Sequence, residues 1–217
     1  MNNAAIRPPD KLRADASVAG PFLRALLREG TSIAHQRLDL GFAGMTDADD
    51  VSQYHRFIRM NHACHARLEP LLERMADQAS APFLARRQSL LPALVADMRS
   101  MDLTPVDTGL LPVCRTGLPE AAGLIYVLDG SRLGARFIHR QFIGKDLGSR
   151  WPGASSAYLA GASGPDAFGD RMAALSDRVA TTTARERALA AAQAAFALFE
   201  SAYQRAATTP CPEPVPS

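Results

Sequence analysis

Residues 119–142 read PEAAGLIYVLDGSRLGARFIHRQF, and this stretch decides the fold class. A proline followed by a glutamate opens it, which is typical of the first turn of an α-helix. The apolar residues that follow recur at helical intervals and do not alternate with polar ones as they would in a strand. We therefore predict a long helix that begins after Pro119.

The same helical period extends outward from this stretch in both directions, and no alternating strand pattern persists anywhere. The further helices that it predicts cover about 20–40, 47–75, 81–100, 166–179 and 183–206. Pro92 marks a kink or a boundary in the third of them. Loops are predicted over 101–119 and 144–165. Because the chain shows no internal repeat and no split into domains, the sequence predicts an all-α, single-domain helical bundle.

Composition limits the classes of function that the chain can have. Its 217 residues, 47% hydrophobic and 21% charged, suit one domain with a substantial core. Residues 1–17 and 207–217 are rich in Pro, Ala and small polar residues, so we expect flexible ends around a helical domain at 18–206. A net charge of +2 with scattered arginines gives little support to a nucleic-acid or membrane-surface role.

The sequence shows neither an apolar targeting segment nor a functional cysteine pattern. The chain has no apolar run of a secretory signal and none of the ~18 consecutive apolar residues of a membrane span. We therefore expect a cytoplasmic protein without a membrane partner. Cys64, Cys114 and Cys211 show neither metal-binding nor redox spacing and are expected to be reduced, with Cys64 and Cys114 buried and inert.

The first predicted helix carries the candidate functional histidine. Thr31 and His35 are four residues apart and share a face, and Arg28 lies two turns before His35, roughly 10.5 Å away along the axis. This arrangement suits a large planar ligand that is bound at its centre and anionic at its rim. Taken alone, the segment fits a packed or capped histidine better. Gly30 in the same helix costs stability unless a neighbouring chain comes close.

Two glycines give the stretch at 126–136 its unusual character. Tyr126, Gly130 and Gly134 recur at intervals of four, and each glycine costs a helix roughly 1 kcal/mol relative to alanine. That cost is tolerable if the backbone must approach something flat or bend. It is equally tolerable if small residues let two helices pack closely. The sequence leaves both interpretations open.

Together the two segments resemble the heme oxygenase family, in particular its bacterial branch associated with bacteriophytochromes. The residues that carry the resemblance are Thr31-x-x-x-His35 and the later run LPEAAGLIYVLDGSRLGA at 118–135. The resemblance covers nearly all of the core, including ALAAAQAAFALFESAYQRA at 188–206. It fades at both ends and through 101–117 and 144–165.

The resemblance implies a set of site residues. His35 falls at the position of the iron ligand, Arg28 at that of a basic residue near the propionates, and Tyr126 on the same edge. The implied heme-binding residues are Arg28, Thr31, His35, Tyr126, Asp129, Gly130, Ser131 and Gly134. The segment implied to act in catalysis consists of Gly130, Ser131, Gly134 and Ala135. Asp129 stands where this branch more often has Glu, and Ala135 replaces a second glycine of many relatives.

The resemblance also implies the reaction. Heme is both cofactor and substrate, O2 and an external donor such as ferredoxin or ascorbate take part, and the products are biliverdin, CO and iron. A bacteriophytochrome is an expected acceptor of the product. Either Asp39 or Glu29 could orient the His35 imidazole. The alternative is a catalytically silent heme-binding or sensing protein of the same fold, suggested by Ala135, Arg132 and Arg136.

Other side chains offer weaker sites. His55, His62 and His65 share one arc of the second helix, and a polar surface or groove face is favoured there over a metal site because no carboxylate completes a zinc pattern. A third possibility, a thiaminase-like or di-iron relative of the same fold, is not favoured, since the sequence has no ExxH motif of a di-iron centre. His139 is expected on the solvated side of its helix and is the fallback iron ligand. The residues expected to form core or pocket wall in the last helix are Phe196, Phe199 and Tyr203.

Overall fold

The fold is described by a computed structural model that covers residues 22–75, 77, 79–85, 87–109, 115–165 and 167–208. Within these ranges the helices are α1 (Phe22–Gly41), α2 (Ser52–Arg74), α3 (Ala81–Leu84), α4 (Leu91–Ser100), α5 (Leu118–Gly144), α6 (Leu147–Arg150), α7 (Ala157–Ala162), α8 (Phe168–Arg178) and α9 (Thr182–Thr208). A 3-10 turn, Met45–Asp47, precedes α2. The described residues contain no strand, so the all-α prediction is confirmed.

Helix α9 is the centre of the bundle, because α5, α1 and α2 all pack against it. Glycine makes two of these approaches possible. A Cβ atom added at Gly123 of α5 would lie 2.1 Å from the carbonyl oxygen of Ala188, and one added at Gly30 of α1 would lie 2.5 Å from Cδ1 of Leu189. The close neighbour that Gly30 requires is therefore α9, whose many alanines leave room for it.

Two predicted element limits are wrong, those at 47 and at 144–165, and the boundary predicted at Pro92 is confirmed. Helix α2 begins at Ser52 rather than near Asp47, because Gly44 has a φ of 77° and the chain first makes the 3-10 turn. The predicted helix at 81–100 is two helices, with Pro92 in the first turn of α4. The predicted loop at 144–165 contains α6 and α7. Helix α7 begins where Asp97 of α4 accepts the amides of Ala157 and Tyr158 at 2.8 Å, a long-range contact that local sequence does not reveal.

The remaining predictions concern the domain limits, the cysteines and membrane segments, and the described residues cover only part of them. Helix α9 continues to Thr208, two residues past the predicted end of the domain at 206. The predicted flexible segment 1–17 and all but the first two residues of 207–217 lie outside the described residues. Cys64 is fully buried, and burial raises the pKa of its thiol. Cys114 and Cys211 also lie outside the described residues. No described helix is long and apolar enough to cross a membrane.

Candidate functional site

A cavity of about 970 Å³ lies between α1 and α5. Its volume is at the upper end of the ~300–1,000 Å³ that is usual for small-molecule sites. The turn after α1 and residues of α2, α8 and α9 complete the walls. The predicted site residues that line it are Arg28, Thr31, His35, Tyr126, Gly130, Ser131, Gly134 and Ala135. Tertiary structure therefore brings the two predicted segments to one cavity.

His35 presents its imidazole to this cavity and is not packed into the core. Its side chain is 61% exposed, and its Nδ1 lies 2.9 Å from Oδ2 of Asp39 one turn later. The ring of Phe196 stands 5.9 Å away between centroids. When the Asp39 carboxylate accepts the Nδ1 proton, the lone pair of Nε2 is available to a ligand. Of the two carboxylates considered for this role, Asp39 makes the contact, and Glu29 does not line the cavity.

Thr31 lies one turn before His35 and Arg28 two turns before it. The two differ in whether they leave a polar group for a ligand. The Thr31 hydroxyl is buried and donates to the Leu27 carbonyl at 2.7 Å, so Thr31 contributes wall surface and no free polar group. Arg28 is exposed, and no carboxylate within the described ranges pairs with it. Its guanidinium is therefore free to bind an anionic ligand group.

Charge is distributed unevenly along the cavity. Arg24, which the sequence analysis did not identify, also lines it, and its Cζ lies 5.2 Å from the ring centroid of Phe168. Its position four residues before Arg28 was the signal that could have found it. Lys145 lines the opposite end, where its Nζ contacts Oδ1 of Asp47 at 2.5 Å. As far as the described residues show, the positive charge without an acidic partner is thus at the arginine end.

Gly130 and Gly134 of α5 face the cavity. A Cβ atom added at Gly130 or Gly134 would meet no protein atom within 4 Å, whereas one at Gly123 would collide with the backbone of α9. Close helix packing therefore explains Gly123 and does not explain Gly130 or Gly134. Ser131 donates its hydroxyl proton to the Leu128 carbonyl at 2.8 Å. The result is a flat stretch of α5 that is open to a ligand.

Aromatic and aliphatic side chains supply the rest of the wall. Tyr126 lies 6.2 Å from Phe168 between ring centroids, and Phe196 and Phe199 are both buried and line the cavity. Tyr203 does not line it, and its hydroxyl donates to the Gly41 carbonyl at 2.9 Å. The lining residues that the sequence analysis missed include Leu133, Phe137, Asn61 and Lys145.

Asp129 was predicted as a cofactor-binding residue, and the structure does not support that prediction. It does not line the cavity, and its carboxylate is buried on the other side of α5. Oδ1 accepts a hydrogen bond from Nε of Arg87 at 2.9 Å, and Oδ2 accepts one from Nη1 of Arg171. A carboxylate engaged by two guanidinium groups is not available to a ligand in the cavity, so we withdraw Asp129 as a cofactor-binding residue.

Arg132 and Arg136 also turn away from the cavity. Nη1 of Arg132 donates to the carbonyl of Gln88 at 3.2 Å, and Nε of Arg136 donates to that of Ala162 at 2.7 Å. Neither arginine lines the cavity. Two of the three departures that suggested a silent protein therefore lie outside the site, and only the Ala135 methyl group adds to its wall.

Of the three α2 histidines expected on a polar surface or groove face, His65 is not there, whereas His55 and His62 are partly exposed. His65 is fully buried, and its Nδ1 lies 2.7 Å from Oε1 of Glu69. Burial lowers the pKa of His65, and it also lowers those of His55 and His62, which are half-buried. No cluster of three or more possible metal ligands occurs among the residues that the structure describes. His139 lies at 2.8 Å from Oγ of Ser163 and does not line the cavity, which removes its support as the fallback ligand.

Among curated proteins, the chain is similar to one named heme oxygenase from Xanthomonas campestris pv. campestris (strain 8004). The two are 32% identical over an alignment of 158 residues that covers 70% of this chain and 89% of the relative. No family model matches the chain. No solved structure matches it either.

Proposed function

This chain belongs to the heme oxygenase family, and from that premise we propose that it binds heme and cleaves it with O2 and electrons from an external donor, yielding biliverdin, CO and iron. The observation that carries the proposal is the pairing, in one cavity, of a carboxylate-oriented imidazole on α1 with a side-chain-free surface on α5. A planar ligand needs both, since it must be held at its centre and approached closely on a face.

His35 is the proposed protein ligand of the iron. Asp39 fixes the tautomer, because its Oδ2 lies 2.9 Å from Nδ1 and leaves Nε2 as the coordinating atom. The carboxylate that accepts the Nδ1 proton also makes Nε2 a stronger electron-pair donor to a metal. The exposure of the ring into the cavity, rather than burial in the core, is what makes this role sterically possible.

Gly130 and Gly134 form the proposed surface over the other face of the heme. When bound, heme supplies the iron centre that reacts with O2, and the protein supplies orientation and pocket polarity. At these two glycines the wall has no side chain, which would let the backbone of α5 come near that face. It also keeps away strong acids and bases that could divert the reaction. Ser131 and Ala135 belong to the same surface and add only small side chains.

Arg28 and Arg24 are the proposed partners of the heme propionates. Guanidinium groups bind carboxylates in a fixed, often bidentate geometry. Lys145 is a weaker candidate because Asp47 already pairs with it. Tyr126 lines the same end of the cavity as Arg24, since both lie against Phe168.

The proposed physiological setting follows the bacterial, bacteriophytochrome-associated branch of the family. Ferredoxin or another soluble reductant is the proposed electron donor, and a bacteriophytochrome is the proposed acceptor of biliverdin. Support for this finer assignment is the sequence resemblance over 118–135.

The test is reconstitution of the purified protein with heme, followed by addition of ascorbate or reduced ferredoxin in air. Loss of the Soret band together with a rise in biliverdin absorbance supports turnover, and a stable oxy or ferric spectrum would show binding alone. His35→Ala should abolish imidazole ligation and turnover. His139→Ala is the matched control, since His139 is a partly exposed histidine outside the cavity, and it should behave like the wild type. Absence of heme uptake by the wild-type protein would reject the proposal.

A further inference from the structure

A buried cluster of charged side chains lies directly behind the glycine surface of α5. Asp129 is the residue immediately before Gly130, and its side chain is 1% exposed. It accepts hydrogen bonds from Nε of Arg87 at 2.9 Å and from Nη1 of Arg171 on α8. We call Arg87, Asp129 and Arg171 the rear clamp. It joins the backbone next to the cavity surface to two other segments of the chain.

Arg87 extends the cluster to α2. Its Nη2 lies 3.3 Å from Oε1 of Glu69, and the same carboxylate accepts from Nδ1 of His65 at 2.7 Å and from the amide of Leu90 at 3.3 Å. Within the cluster, two carboxylates face two guanidinium groups, so the charges balance when His65 is neutral. A balanced, hydrogen-bonded cluster in the interior holds its members at fixed separations, because each broken pair leaves a buried charge.

Two further hydrogen bonds attach the Asp129 side of α5 to neighbouring segments of the chain. Residues 129, 132 and 136 lie at i, i+3 and i+7 and so share one side of the helix. Arg132 donates to the Gln88 carbonyl at 3.2 Å, and Arg136 donates to the Ala162 carbonyl at 2.7 Å. The opposite side carries Gly130 and Gly134, from which no Cβ would touch protein. This part of α5 is thus anchored from behind and open in front.

We propose that Asp129 is a positioning residue and that the rear clamp sets the distance between the glycine surface of α5 and the ligand in the cavity. The inference rests on the proposed function for the identity of that ligand. Two glycines weaken a helix by roughly 1 kcal/mol each, and the open cavity offers their segment no packing. Side-chain contacts on the rear face are what keep the segment helical and in place.

The experiment compares Asp129→Asn with Glu120→Gln. Glu120 is a matched control because it is a buried carboxylate of the same helix, paired with Arg187 through two contacts of 2.7 Å, and it does not line the cavity. The first readout is hydrogen–deuterium exchange of the heme-free protein over residues 126–136. The second is the affinity of the ferric heme complex for azide, which must fit between the heme and α5.

Asp129→Asn should speed exchange over 126–136 and change the azide Kd by about tenfold, the scale of an altered outer-shell contact. Asp129→Glu keeps the carboxylate and should restore most of the azide affinity. Glu120→Gln should lower thermal stability without changing either readout. If Asp129→Asn does not fold, Arg171→Gln removes one arm of the clamp and should shift both readouts in the same direction.

The proposal is overturned if the folded clamp variants match the wild type in exchange over 126–136 and in azide Kd. It is also overturned if Glu120→Gln changes both as much as they do, since that result indicates general destabilisation. If the wild-type protein takes up no heme, the proposed function fails. The exchange comparison still decides whether the clamp orders α5.

Discussion

Nδ1 of His35 lies 2.9 Å from Oδ2 of Asp39, one turn further along α1. Both side chains are largely exposed, so the contact by itself adds little to the stability of the fold. Its value is in orientation, because it directs Nε2 of an otherwise mobile imidazole. A substitution in this pair can therefore change ligand binding without changing the stability of the fold.

Asp39→Asn should leave the unfolding transition of the heme-free protein unchanged and weaken heme binding. Loss of an outer-shell carboxylate on a metal-bound histidine costs about 10–100-fold in affinity or activity. Heme titration followed at the Soret band measures the effect. Glu29→Gln removes a carboxylate of the same helix outside the cavity and should bind heme as the wild type does. Equal affinity in the two variants would contradict the role given to Asp39.

Substitution of two glycines of α5 by alanine should have opposite effects on stability. Gly130→Ala adds a methyl group in open space, so the heme-free protein should gain up to about 1 kcal/mol from helix propensity. Gly123→Ala should destabilise it, because the new Cβ would lie 2.1 Å from the Ala188 carbonyl oxygen. Urea unfolding of both variants measures the free energies. Destabilisation by Gly130→Ala would show that its segment packs against protein.

Arg28→Ala should weaken the binding of heme more than that of heme dimethyl ester. The ester lacks the carboxylates that a guanidinium would bind, so the loss of a charge-assisted hydrogen bond, about 1.5–3 kcal/mol, should appear only with the free acid. Competitive titration of the two ligands against each variant gives the difference. Arg37→Ala, on the same helix but outside the cavity, is the control. An identical loss for both ligands would argue against propionate contact.

The stability of the heme-free protein should fall as the pH is lowered from neutrality. Burial lowers the folded-state pKa of His65 below its usual 6.5, so the unfolded state takes up a proton first and stability is lost as the pH falls through that range. Glu69 extends the loss to lower pH. Burial opposes its ionisation, but the hydrogen bond from His65 and the charge of Arg87 hold its pKa at about 2.

Urea unfolding at pH 7.5, 6.0 and 4.5 tests this dependence. The free energy of unfolding should decrease at each step, because the half-buried His55 and His62 have lowered pKa values and act with the same sign. Constant or rising stability over this range would show that the α2 histidines are not buried in their neutral form.

Much of this arrangement could be predicted from the sequence, for physical reasons that are local. The helical period of 119–142 predicted α5, and the spacing of Tyr126, Gly130 and Gly134 left open whether that stretch meets a ligand or another helix. The i, i+4 relation between Thr31 and His35 put them on one face of α1. Such patterns are set by the geometry of a single helix, which needs no knowledge of its neighbours.

Only the tertiary structure decided which residues each helix face contacts. Asp129 is one residue from the cavity surface, yet it points to Arg87 and Arg171, since neighbouring residues on a helix diverge by about 100°. His65 was predicted at a polar surface or groove face and is buried against Glu69. Helix α7 begins at an acceptor supplied by Asp97, and Lys145 at the cavity pairs with Asp47. Each of these depends on residues far apart in the chain, whose meeting a helical period cannot specify.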